Sequence, residues 1–155
     1  MVSVIRRMIL LLSLMFWQGG FMFYGGVVVP IGTKILGSGT EQGFITQPVT
    51  NYLNLAGAVC LILWLEHLWH ERRQGVSGIE WLTWGFATLT LAGLAGIHLR
   101  MDRLLNVEST SVLDHAAFGG YHKMYIGTST LQWLASVLML FLAILRWSRR
   151  DSMTA

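Results

Sequence analysis

The sequence predicts an all-α bundle of four transmembrane helices with both termini in the cytoplasm. Three observations carry that expectation. Of the 155 residues, 54% are apolar and only 12% are charged, against about 25% charged in an ordinary soluble domain. Four windows hold no Asp, Glu, Lys, Arg or His: Met8–Thr33, Gln42–Leu65, Trp81–Ile97 and Met124–Leu145. Each approaches or exceeds the roughly 20 residues that cross a hydrocarbon core of about 30 Å. Finally, the basic residues flank these windows unevenly. Arg6, Arg7, Arg72, Arg73, Arg146, Arg149 and Arg150 fall on one side, with Lys34, Arg100, Arg103 and Lys123 on the other. The richer side is expected to be cytoplasmic. The chain therefore reads as one integral membrane domain over residues 1–155, with spans near 8–30, 49–69, 80–99 and 122–146.

Composition also excludes some functions. The net charge of +3 is spread between apolar runs, which suits topology signals and not a nucleic-acid face. Cys60 is the only cysteine. It can form no intrachain disulfide and belongs to no cysteine cluster, so its expected role is inert helix packing. Neither a G-x-S-x-G elbow nor a phosphate-binding glycine loop is present, and no internal repeat of the transporter kind is apparent. No residue is assigned a catalytic role.

The first span follows Arg6 and Arg7 as a signal peptide would, but its apolar run continues past any A-x-A-like site. It is expected to remain as an uncleaved helix. Gly19 and Gly26 lie seven apart and predict a face where another helix comes close. Gln18 and Tyr24 are expected to hydrogen-bond between helices. In the following glycine-punctuated loop, Thr40–Gln42 suggests the start of a short interfacial helix. Pro48 falls near the start of the second span, with Asn51 and Asn54 close to the headgroups. That span ends in Glu66, His67, His70 and Glu71, which suit either a metal or a solvated helix end between Trp64 and Trp69.

On the third span, Gly85, Ala92 and Gly96 share a face about 40° wide, again expected to pack closely. In the loop after it, Ser111-Val112-Leu113-Asp114 matches a capping box, predicting a helix start near Val112. That helix either runs into the last span or pauses at Gly119-Gly120. Along it Asp114, His115, His122, Tyr125, Ser129, Gln132 and Ser136 fall on one arc of about 100°. A polar stripe of this kind must face protein, water or a ligand, not lipid.

The candidate site follows from depth. His98 and Asp102 end the third helix, while Asp114, His115 and His122 begin the fourth, at the outer end of the bundle. Imidazole and carboxylate donors suit a transition metal such as zinc, copper or iron, and two histidines from facing helices suit a haem. The alternative is that these side chains simply hold the third loop down. Tyr125, Ser129, Gln132 and Ser136 lie deeper and are expected to bridge helices. His67 and His70 lie at the opposite end, about 30 Å away, so the two groups cannot share one ion.

Two stretches, WQGGFMFYGGVVVPIG (Trp17 to Gly32) and FGGYHKMYIGTSTLQW (Phe118 to Trp133), resemble the hallmark segments of a small four-helix bacterial membrane family. That family is classed as a domain of unknown function and is related to the eukaryotic four-helix transmembrane protein associated with cisplatin resistance. Phe118 and His122 fit the family's pattern. Gln18 interrupts its Trp–Gly–Gly, and Tyr125 stands where a small hydroxyl residue is usual. The resemblance implies a four-helix membrane bundle, in the cytoplasmic (inner) membrane of a bacterium, and brings no established activity.

The leading expectation is thus a polytopic, non-enzymatic membrane protein, acting as an accessory subunit or a small binding module. Its partners would be the lipid bilayer and a membrane-protein partner or a second copy, not nucleic acid. A metal- or haem-binding redox protein is the alternative, and an oligomeric small-solute transporter is a second one.

Overall fold

The computed structural model describes residues 2–106 and 109–154 and is 90% helical. Pro30 decides how the first span is built. It has no amide hydrogen to give the carbonyl four residues back, and its ring crowds that carbonyl. The chain answers with one widened turn. Helix α1 (Val2–Phe23) passes through a π-helical turn at Tyr24–Val28 into α2 (Val29–Leu36), and the Val29 amide bonds the Tyr24 carbonyl five residues back. Gly37 then takes the left-handed conformation (φ 69°), its amide closing on the Thr33 carbonyl at 3.0 Å. Ser38 caps the next helix by accepting from the Glu41 amide at 3.2 Å. The chain reverses within two residues.

Helix α3 runs unbroken over Gly39–Glu71 with Pro48 inside it. The expected separate interfacial helix at Thr40–Gln42 is therefore the first turn of the span itself. A single-turn 3₁₀ segment (Arg72–Gln74) and Gly75 at φ 90° lead to α4 (Gly78–Asp102). There Ser77 and Glu80 form a reciprocal capping box, which satisfies two amides that a helix start leaves free.

The third loop corrects a second expectation. Ser111 is not a helix cap. Ser111–Val112 forms strand β2, paired antiparallel with β1 (Leu105–Asn106) in the register Leu105↔Val112 and Asn106↔Ser111. The cap is Asp114, whose Oδ1 accepts from the Ala116 and Ala117 amides, both at 2.9 Å. Helix α5 (His115–Thr154) then continues straight through Gly119-Gly120.

Each of the four helical segments Val4–Leu36, Gly39–Glu71, Gly78–Asp102 and His115–Met153 is long and apolar enough to cross a bilayer. This is the architecture of a multi-pass membrane protein. Arg7 and Asp151 pair at 2.7 Å, placing both ends of the chain at the same end of the bundle. The core fills that half. Leu10, Leu14 and Trp17 of α1 meet Cys60, Leu61, Trp64 and Leu68 of α3, Ala87 and Leu91 of α4, and Ala135, Met139, Ala143 and Trp147 of α5. Lipid tails are as apolar as these side chains, so close packing and interhelical hydrogen bonds must hold them together. Trp84 Nε1 donates to the Leu61 carbonyl at 2.9 Å and Gln132 Nε2 to the Ala87 carbonyl at 3.1 Å. Gln18 Nε2 reaches Ser136 Oγ at 2.9 Å.

Close helix approach occurs at other glycines than expected. A Cβ on Gly57 would stand 2.5 Å from the Trp17 indole, and one on Gly32 would overlap the Gln42 amide. A Cβ at Gly19, Gly26, Gly85 or Gly96 would meet nothing within 4 Å. Among the described residues, no other helix comes close at those four glycines.

Candidate functional site

Two His–carboxylate pairs, one at each end of the bundle, have nearly the same local geometry. At the termini end His67 Nε2 lies 3.6 Å from Glu71 Oε2, one helical turn apart on α3. Both are buried, whereas Glu66 and His70 face outward. The four do not converge, so the metal reading of this stretch falls. What reaches the pair is Arg146 from α5. Its Nη1 is 3.1 Å from Glu71, its Nε 3.2 Å from Glu80 and its Nη2 2.9 Å from His67 Nε2. Arg150 adds a contact to Glu71 at 3.4 Å. The Arg146–carboxylate contacts are ion pairs more than aligned hydrogen bonds, since Nε and Nη1 of Arg146 miss bonding geometry. Glu80 works twice, because its Oε2 also accepts from the Ser77 amide at 2.9 Å. One arginine thus ties α3, α4 and α5 together. The cluster is a structural fastening.

At the far end the four helices line a partly open cavity of about 630 Å³. Its walls come from every span: Tyr24 and Gly25 at the π turn, Gln42, Thr46 and Thr50 on α3, His98 and Asp102 on α4, and His122, Tyr125 and Ser129 on α5. His98 Nε2 is 3.5 Å from Asp102 Oδ2. His98 is only 6% exposed, yet its Nε2, Asp102 Oδ1 and the Tyr125 hydroxyl are buried without a hydrogen-bond partner. Buried polar atoms are nearly always satisfied. His67 Nδ1, Gln132 Oε1 and Trp147 Nε1 in the packed half also lack a partner, so what sets these three apart is that their residues line a cavity. His122 stacks parallel to Phe118 with ring centroids 6.4 Å apart.

Of the five candidates from the sequence, His98, Asp102 and His122 share this cavity. Asp114 and His115 do not line it. Asp114 is spent as the cap of α5, and both side chains are exposed. Among the described residues, no group of three or more His, Cys, Asp or Glu side chains is placed to hold a metal ion. The deeper polar arc divides. Gln132 and Ser136 bridge helices, but Tyr125 and Ser129 belong to the cavity. Tyr24 keeps its expected interhelical bond, to Thr46 Oγ1 at 3.3 Å, and lines the cavity as well.

The contribution of α3 was missed from sequence. Gln42, Thr46 and Thr50 recur every four residues, a polar stripe on one helix face that the charge-free window concealed. Comparison with protein-family models, curated proteins and solved structures finds no match to this chain.

Proposed function

We propose that this chain is a small-molecule-binding membrane protein whose site is the cavity at the end far from the termini. The observation that carries the reading is the coincidence of a cavity of about 630 Å³ with three buried, unpartnered polar atoms on its wall. Ligand sites of roughly 300–1,000 Å³, mostly apolar with a few convergent polar groups, are the usual form for small molecules. The filled core and ion pairs of the other half favour a binding site over a pore through one chain. The activity would be that of a binding module, alone or as an accessory subunit, in the inner membrane of a bacterium and with both termini cytoplasmic. The two stretches that resemble the four-helix bacterial family supply much of the cavity wall, which fits a shared site in such proteins.

Native mass spectrometry of protein extracted into lipid nanodiscs tests the reading. A bound small molecule is expected, lost when Ser129→Trp fills the cavity; retention by that variant would sink the proposal. A periplasmic reporter that is active when fused after Ala155 would overturn the orientation.

A further inference from the structure

The chemical class of the ligand follows from what the cavity wall carries and what it lacks. Among the described residues, Asp102 is the only formally charged side chain lining it, and no Lys or Arg does. A carboxylate at the last position of α4 also faces the negative end of the helix dipole, where an anion is disfavoured. At the other end of the bundle every buried carboxylate is met by an arginine. Here the only partner among the described residues is His98, at 3.5 Å, and Asp102 Oδ1 remains without one. Four aromatic rings, those of Phe21, Tyr24, Phe118 and Tyr125, complete the surroundings.

Resting on the reading of the cavity as a small-molecule site, we infer that its ligand is an amphipathic organic cation: a protonated amine on an apolar body. An ammonium would pair with the Asp102 carboxylate, 22% exposed, and a turn of the side chains that uncovers Oδ1 and the Tyr125 hydroxyl would satisfy two of the atoms left over. The aromatic faces attract the same charge through their quadrupoles, most strongly where water is excluded. An anion would meet a carboxylate with no compensating cation. A neutral apolar molecule would leave the buried polar atoms unpaired, which costs affinity because their hydration is lost without replacement.

The test uses three probes of one shape: phenylbutylamine, phenylbutanol and phenylbutyrate. Their binding to the intact chain in nanodiscs of zwitterionic lipid is measured by calorimetric titration at neutral pH. The amine is expected to bind at least about tenfold tighter than the alcohol, the scale of one charge-assisted hydrogen bond, with phenylbutyrate weakest. Asp102→Asn should bring the amine down to about the alcohol's affinity, and Asp102→Glu should restore part of the difference. Native-chain selectivity carries the test even if a variant fails to fold. Equal or tighter binding of the alcohol or the acid, abolished by Ser129→Trp, would overturn charge selection and leave the cavity site standing. No binding of any probe, together with no molecule retained in native mass spectrometry, would remove both readings.

Discussion

His67–Glu71 and His98–Asp102 are much the same pair twice: an imidazole and a carboxylate four residues apart, at 3.6 and 3.5 Å, the first buried throughout and the second with Asp102 22% exposed. About 18 residues of α4 separate their levels, or about 27 Å along a helix. What distinguishes them is a third residue from another helix. Arg146 enters the first pair and makes it a fastening between α3, α4 and α5. Among the described residues no arginine or lysine lines the second, and a cavity opens there instead. A titratable pair is therefore not a functional signal by itself. Whether a cation from another helix meets its carboxylate is what separates the two.

The largest test of this contrast is Arg146→Met. It leaves Glu71 and Glu80 buried without their shared cation, and breaking such a pair costs about 3–5 kcal/mol. A marked fall in the unfolding midpoint in detergent is expected, partly reversed by adding Glu71→Gln. An unchanged midpoint would break the comparison. Gly57→Ala comes next, because its new methyl would press on the Trp17 indole. Overpacking of this kind costs about 1–3 kcal/mol, while Gly96→Ala, in open space, should be neutral or slightly stabilising on the same thermal assay. Asp102→Asn should change stability by less than about 1 kcal/mol, since no buried cation is orphaned, yet abolish preference for the amine probe. Smallest of all is Arg7→Ala. Its partner Asp151 is exposed, so only a slight, salt-sensitive shift of the midpoint is expected.

The spans were legible because solvent quality is written in composition. Every expected span lies inside one observed helical segment. Their ends were cut short because charge-free windows stop where Glu66–Glu71 and Arg146–Arg150 begin, although these residues are helical and partly buried. The Arg146 cluster was not legible at all. Its partners Glu71 and Glu80 are dozens of residues away, and no local spacing announces contacts across helices. The candidate site was half legible. His98, Asp102 and His122 were grouped by depth, which the helix plan provides. Asp114 and His115 were grouped with them for the same reason, but a helix start claims the nearest carboxylate as its cap. Tyr24 and the Gln42–Thr46–Thr50 stripe, on the opposite wall, needed the tertiary arrangement.

The widened turn at Tyr24–Val28 has one more effect, on rotational phase. Leu10, Leu14, Trp17, Phe21 and Tyr24 follow one α-helical stripe, which continued without interruption would bring Ile31 and Ile35 inward. They are instead 54% and 77% exposed, and Gly32 and Thr33 take the inner face. A π turn absorbs one residue beyond the α-helical count, equivalent to about 100° of rotation. The first span is thus two faces in series, one cut for the core and one for the cavity. Restoring regular α-helix through Tyr24–Val28 with no residue removed would bring them back into phase, turning Ile31 inward and dismantling one wall of the cavity. Deleting a single residue at Val27, by contrast, would remove the widened turn and leave Gly32 facing inward.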